Sequence, residues 1–341
     1  MSQEEGSRAV ERVAIVGAGS WGTALAMVAA RNNHDVSLWA REPEVAESIN
    51  RNHRNPFYLS DFELPENMHA TVSPAEAVRD ARFALIVIPS HTMREMMERL
   101  KPHLHAEVVI VSAAKGVENG TLMRMSEVIS DVLDQEIDSR FVALSGPSFA
   151  REVGKGDPTA IVAASGNPEA SGRIQLALSS PSFRIYTNND VVGVELGGAV
   201  KNVVAIAAGV VRGLGLGTNS VAAIVTRGLA EMTRLAVAAG ARVETMAGLA
   251  GLGDLVLTCT GELSRNRKVG IELGRGRSLS DVLADKREIA EGVKTTRAIR
   301  ELGRRLGVEL PITESIYALL YEGKSAADAA AELMGRPLRR E

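Results

Sequence analysis

The sequence predicts an α/β fold: a doubly wound, mostly parallel sheet over residues 1–189, followed by an all-α half over residues 190–341. Three observations predict it. Short, near-continuous apolar runs alternate with helical periodicity up to about residue 188, as strands buried on both faces do. Glycines are grouped directly between the first such run and the first helical stretch. Beyond residue 190 the strand-like runs stop, and apolar residues recur at helical spacing alone.

The first strand is Arg12-Val-Ala-Ile-Val16. It leads into Gly17-Ala-Gly19-Ser20-Trp21-Gly22 and a helical run over residues 23–31. Strand, glycines at this spacing and helix together form a Rossmann-type dinucleotide fingerprint. Gly17 makes the tight turn, Gly19 admits a pyrophosphate to the backbone N–H groups, and Gly22 lets helix pack on strand. Ser20 and Trp21 stand at the helix entry, within reach of the cofactor.

The second strand, residues 35–40, ends not on an acid but on Arg41, followed by Glu42. An arginine there can take a 2′-phosphate through two N–H groups, so NADPH (NADP) is the preferred cofactor expected. Glu42 leaves NADH (NAD) open, and a solvated loop arginine is the plain alternative.

Further strands are expected at residues 70–73, 83–88 and 108–111, with helices at 74–79 and 92–100. Ser112-Ala-Ala-Lys115-Gly116 closes the fifth strand. Ligands of doubly wound sheets lie outside the carboxyl ends of strands, so Lys115 can reach a substrate there. Strand 141–144 runs into Ser145-Gly146-Pro147-Ser148-Phe149-Ala150, a turn rich in small residues and donors that could wrap a ligand or be an ordinary turn. Strand 159–164, helix 168–178 and strand 183–187 complete this half.

The helical half opens on residues 190–217, where Ala, Val, Leu and Ile fill nearly every position. Apolar residues on all faces mean a helix buried all round. It carries one lysine, Lys201, beside Asn202; Gly197 and Gly198, one turn earlier, allow close approach. A buried ammonium is costly unless paired or deprotonated. A general acid/base and a lysine snorkelling from a helix end both fit this stretch. Helices should follow at 220–239, 268–273, 293–306, 312–321 and 326–333. Residues 247–254 read as a flexible loop ending in Asp254, which could orient or neutralise Lys201. Residues 258–267, Thr258-Cys-Thr-Gly-Glu-Leu-Ser264-Arg265-Asn266-Arg267, are polar and donor-rich, and the succession of Ser, Arg and Asn offers a bidentate fork with neutral donors beside it, which suits a phosphate.

Composition narrows the classes. A net charge of −3 argues against nucleic acid or an anionic membrane as main partner. The single cysteine, Cys259, excludes an intrachain disulfide and a multi-cysteine metal site, and reads as packing; no metal is expected. Lys201 interrupts the best candidate for a membrane span, and residues 1–8 lack a signal-peptide core, so a cytoplasmic protein is expected. The Arg-rich end, residues 336–341, reads as a solvated tail, and a homodimer is compatible with the apolar helical half. All six histidines lie within the first 105 residues. The helical half therefore has no histidine base, and Lys201 is the natural remaining one.

Together these residues make a pattern. Gly17-Ala-Gly-Ser-Trp-Gly22, Ile88-Pro-Ser90, Ala114-Lys115-Gly116, Ser145-Gly-Pro-Ser-Phe-Ala150, Glu195-Leu-Gly-Gly-Ala-Val-Lys201-Asn202, Gly251-Leu-Gly-Asp254-Leu, Ser264-Arg265-Asn266-Arg267 and Glu291-Gly-Val-Lys-Thr-Thr296 occur in this order. Over essentially its full length the chain closely resembles the bacterial NAD(P)-dependent sn-glycerol-3-phosphate dehydrogenases. The resemblance implies reversible reduction of dihydroxyacetone phosphate to sn-glycerol 3-phosphate for glycerophospholipid synthesis. It implies Lys201 as proton donor and acceptor at the C2 oxygen, with Lys115 and Asp254 completing the substrate site. Ser264, Arg265 and Asn266 would meet the phosphate, with Gly146 and Ser148 nearby. Cofactor contacts would fall on Ser20, Trp21, Arg41, Lys115, Ala150, Arg265, Ile289 and Glu291, the last of these and Ile289 from family position alone. The nearest alternative is another lysine-dependent reductase of this architecture, of the β-hydroxyacid dehydrogenase or ketopantoate reductase type. Their carboxylate substrates explain the Ser264-Arg265-Asn266 run less well. A catalytically silent NADPH-binding regulator gives no reason for the helix-borne lysine, and a methyltransferase explains neither Arg41 nor the helical half.

Overall fold

A computed structural model describes residues 9–134, 137–284, 290–335 and 337. Its first half runs β1 (Arg12–Val16), α1 (Ser20–Arg31), β2 (Asp35–Trp39), α2 (Pro43–Asn52), β3 (Met68–Thr71), α3 (Pro74–Val78), β4 (Phe83–Ile86), α4 (Met93–Leu100), β5 (Val109–Ser112), α5 (Met125–Leu133), β6 (Phe141–Ser145), α6 (Ala150–Lys155), β7 (Thr159–Ala164), α7 (Pro168–Leu178) and β8 (Phe183–Asn188). The second half holds α8 (Val191–Gly213), α9 (Thr218–Ala238), α10 (Val243–Ala247), α11 (Asp254–Thr260), α12 (Arg265–Gly274), α13 (Leu279–Ala284), α14 (Glu291–Arg305), α15 (Pro311–Tyr321) and α16 (Ala326–Met334).

The eight strands form one sheet in the order β3-β2-β1-β4-β5-β6-β7-β8. Every pairing is parallel except β6 with β7. The order reverses between β1 and β4, and there the strand ends leave a crevice for a ligand. One apolar core covers each face of the sheet, and a third fills the helical half.

α8 belongs to two of these cores. Val194 packs with the sheet core, whereas Leu196 through Val211 supply much of the helical one. From Gly193 through Val211 every residue is buried, as the unbroken apolar sequence predicts. The helix is long and apolar enough to cross a membrane, but it is packed inside the protein. Asp190 caps it, its side chain accepting from the Gly193 N–H at 2.8 Å. Gly197 and Gly198 give the close approach expected of them. A side chain at Gly197 would meet the Ala250 carbonyl oxygen at 2.7 Å, and one at Gly198 the Ser145 hydroxyl at 2.9 Å.

One sequence expectation needs correction. Residues 247–254 are no loop: α10 passes into a π-helical turn, Leu249–Gly253, and α11 begins on Asp254 itself. The Gly253 N–H reaches back to the Gly248 carbonyl at 3.1 Å, the five-residue step of a π turn. The glycines there serve packing, since a side chain at Gly251 would strike the Met246 carbonyl at 2.2 Å. α2, α5, α6, α10 and α13 have no counterpart among the expected helices. Buried Met125, Val128, Ile129, Val132 and Leu133 give α5 a plain helical signature. Of the Arg-rich end, residues 336–341, only Pro337 lies among the described residues.

Candidate active site

The crevice between the halves is a cavity of about 640 Å³. At its sheet end lies the glycine turn. Gly17 has φ +124, and any side chain there would meet the Val87 carbonyl oxygen at 2.3 Å. A side chain at Gly22 would overlap the Gly17 carbonyl at 1.8 Å, so α1 packs on the turn as its sequence requires. At Gly19 a side chain would meet nothing within 4 Å and would point into open space. That space, in front of the first N–H groups of α1, fits a pyrophosphate. Ser20, Trp21, Arg41 and Ala150 line the same cavity. Arg41 is not free: its Nε and an η nitrogen donate to Glu42 at 3.0 and 2.6 Å.

At the helical end three charged side chains converge. Lys201, on α8, is 5% exposed, so it does not snorkel. Its ammonium donates to Asp254 Oδ1 and, at 2.9 Å, to the Thr258 hydroxyl. Lys115, past β5, donates to Asp254 Oδ2 at 2.7 Å and to the Gly146 carbonyl at 3.4 Å. One buried carboxylate therefore joins two lysines from opposite halves of the chain. Burial pushes the Lys201 amine down to about 8; Asp254 opposes that fall and Lys115 adds to it. Burial alone would raise the Asp254 carboxyl, but the two lysines hold it below its usual range.

Thr258 opens the donor-rich run of residues 258–267, but its contact with Lys201 is not legible in the sequence. It stands one turn after Asp254 on α11 and donates to the Asp254 carbonyl at 2.6 Å. The four-residue spacing would have placed both on one helix face had residue 254 been seen to start a helix. Tyr58, His91 and Asn202 also line the cavity, and sequence analysis gave none of them a role there.

The Ser264-Arg265-Asn266 run forms the start of α12, at the cavity wall. Ser264 caps the helix, its hydroxyl accepting from the Arg267 N–H at 3.2 Å. Asn266 is held on both sides, its amide donating to Asn202 Oδ1 and its Oδ1 accepting from the Gly292 N–H, each at 2.9 Å. Of its four hydrogen-bonding positions, one N–H and one acceptor lone pair remain. Arg265 is exposed and lies at the cavity beside Glu291, whose carboxyl is raised by burial against the pull of Arg265. Ser148 lines the cavity and donates to the Gly146 carbonyl at 3.0 Å; Gly146 is set behind the wall. Cys259 is fully buried, and burial pushes its thiol up to about 12, in keeping with packing. Ile289 lies outside the described residues.

A dinucleotide cradle on a doubly wound sheet, closed by a helical half that brings a paired lysine to it, defines an NAD(P)-dependent dehydrogenase. Residues 12–171 match the family model for the N-terminus of NAD-dependent glycerol-3-phosphate dehydrogenase, and residues 190–331 the model for its C-terminus. The chain belongs to this family. It is 55% identical over 330 residues to a Koribacter versatilis protein named as an NAD(P)+ glycerol-3-phosphate dehydrogenase, covering 96% of this chain and 98% of that one. A Geobacter sulfurreducens protein of the same name is 53% identical over 331 residues, covering 97% and 99%. The crystal structure of glycerol-3-phosphate dehydrogenase from Coxiella burnetii superposes with a TM-score of 0.91 at 39% identity, covering 96% of this chain and 99% of that one. A ketopantoate reductase from Ralstonia eutropha shares the fold alone, at 20% identity and a TM-score of 0.62, covering 94% and 99%.

Proposed function

We propose that this protein reversibly reduces dihydroxyacetone phosphate to sn-glycerol 3-phosphate in the cytoplasm, supplying glycerophospholipid synthesis, with Lys201 moving the proton. In this reading residues 1–189 hold NADPH in preference to NADH, and residues 190–341 hold the substrate. One observation carries it: Lys201 and Lys115 share Asp254 in a cavity whose other end is the glycine turn. The names of the relatives support the choice of substrate.

When bound, the nicotinamide supplies or accepts hydride at its C4. The chain does the rest. Two of the three N–H groups of Lys201 are engaged by Asp254 and Thr258, which leaves the third for the ketone oxygen. As negative charge grows on that oxygen, Lys201 stabilises it and passes it a proton; in the reverse direction the neutral amine takes the proton back. Lys115 adds a second positive charge beside the same oxygen. Asp254 fixes both lysines, so no reorganisation is needed at the moment of transfer. Arg265, at the far wall, takes the substrate phosphate, and binding there sets C2 in place. Ser264 and Asn266 support it, each with one donor not committed to the protein.

The test is NADPH oxidation followed with dihydroxyacetone phosphate and with unphosphorylated dihydroxyacetone, with NADH in parallel. Rapid turnover is expected only with the phosphorylated ketone. Cofactor binding without turnover of it would overturn the proposal.

A further inference from the structure

The outer end of the cavity, beyond the glycine turn, is walled by two arginines of unequal standing. Arg41 follows β2, and its guanidinium is taken up by the Glu42 carboxylate through two hydrogen bonds. A phosphate arriving there must displace Glu42 or sit beside its negative charge. Arg99 comes from the last turn of α4 and lines the same cavity with Trp39, Arg41 and Glu42. Its guanidinium lies 5.7 Å from the centre of the Trp39 ring. Trp39 is buried, and its indole N–H donates to the Val72 carbonyl at 3.0 Å, so the ring is a fixed platform. A guanidinium drawn over an aromatic ring by cation–π attraction spends no N–H group on that contact, so its donors remain for a bidentate anion. Among the described residues Arg99 has no ion pair and no hydrogen bond, although Glu95 lies one turn before it on the same wall.

We propose that Arg99, set over the Trp39 ring, is the principal contact for the 2′-phosphate of NADPH, and that Glu42 restrains Arg41 from that role. This rests on reading the cavity as a dinucleotide site and names the residue that selects between the two dinucleotides. The phosphate is a dianion that NADH lacks, so an unneutralised, pre-oriented guanidinium discriminates between them, whereas a neutralised one does so weakly.

Calorimetric titration of the full chain with NADPH and NADH, without substrate, tests it. In the wild type NADPH should bind more tightly than NADH. Arg99→Ala, at an exposed position, should weaken NADPH about tenfold or more and leave NADH within about twofold, the scale of one charge-assisted hydrogen-bond pair. Arg99→Lys should recover part of the loss. Glu42→Gln should tighten NADPH several-fold with NADH unchanged, as Arg41 is released. An equal loss of both cofactors in Arg99→Ala, an unchanged affinity for NADPH, or a wild type without preference would overturn the proposal. Failure of the dinucleotide reading itself is distinct: neither cofactor would bind the wild type.

Discussion

Lys201 and Asp254 meet as a buried ion pair between α8 and α11, Nζ against Oδ1, while the other carboxylate oxygen stands 2.7 Å from Lys115 Nζ. Neither charge is exposed beyond a few per cent at this pair, so each depends on the other. Asp254→Asn removes the anion and leaves two ammonium groups facing each other. Lys201 should then lose its proton more readily, and ketone reduction should fall at least about a hundredfold at neutral pH, with its alkaline limb displaced to lower pH. A pH–rate profile decides this. An alkaline limb identical to that of the wild type would remove Asp254 from its role.

The wild-type profile carries its own prediction. Burial leaves Lys201 with a pKa of about 8. Reduction of the ketone needs the protonated amine, so kcat/KM should hold below about pH 8 and fall above it. Oxidation of the alcohol needs the neutral amine and should rise through the same range. Lys201→Ala should lose about a thousandfold or more in both directions, with cofactor affinity within a few-fold of the wild type. Near-normal turnover in this variant would end the assignment.

Arg265 should act chiefly through the phosphate. Arg265→Ala is expected to lower kcat/KM for dihydroxyacetone phosphate by about two orders of magnitude and to leave the slow reaction of unphosphorylated dihydroxyacetone nearly unchanged. Steady-state kinetics with both ketones separate the two. Parallel losses would mean that Arg265 holds the cofactor or the fold instead.

Much of the fold was legible because burial and periodicity coincide in it. β1, β7 and α7 fall on the residues their apolar patterns mark, and α8 could hardly be anything but a buried helix. Lys201 stood out because a charge inside an apolar helix demands a partner. Its partner Asp254 was legible too, but the element that carries it was not. Glycine-rich residues 247–254 carry the composition of a loop, yet their glycines serve contact with α8 and with Met246, and the π turn they form aims Asp254 at Lys201. The contact of Thr258 with Lys201 was hidden by the same misreading. The pairing of Arg41 with Glu42, and the placement of Arg99 over Trp39, are facts of side-chain conformation and packing that no local pattern announces.

The contact between α8 and α12 makes a prediction about stability. A side chain at Gly270 would meet the Ile206 carbonyl oxygen at 2.0 Å, and one at Gly209 the Arg267 carbonyl at 2.1 Å. Both obstacles are backbone, so nothing flexible can yield. Gly274 and Gly213 repeat the arrangement one turn on. Gly270→Ala should therefore cost about 3 kcal/mol or more despite the better helix propensity of alanine. It should also impair turnover, because α12 carries Ser264, Arg265 and Asn266 to the cavity. Denaturant unfolding of the variant checks the first part, and a midpoint at or above that of the wild type would contradict it.

Glu231 offers a test of the helical core independent of the active site. It reaches from α9 to the start of α15, accepting from the Ile312 N–H at 2.6 Å and the Thr313 N–H at 3.3 Å. Leu310, the residue before that helix, offers no side-chain cap of its own. Burial nevertheless outweighs these bonds and pushes the Glu231 carboxyl up to about 7, from 4.5. The folded protein thus keeps this proton over a range in which the unfolded chain has released it. The stability it contributes is complete below about pH 4.5 and is lost as pH rises to about 7. A rise of that size corresponds to about 3 kcal/mol. Glu231→Gln keeps one acceptor and cannot ionise, so it should gain on the wild type by up to that amount between pH 5 and pH 8. Urea unfolding of both proteins across this range would show it, and stability curves that stay parallel would mean that Glu231 is ionised throughout, as an ordinary helix cap.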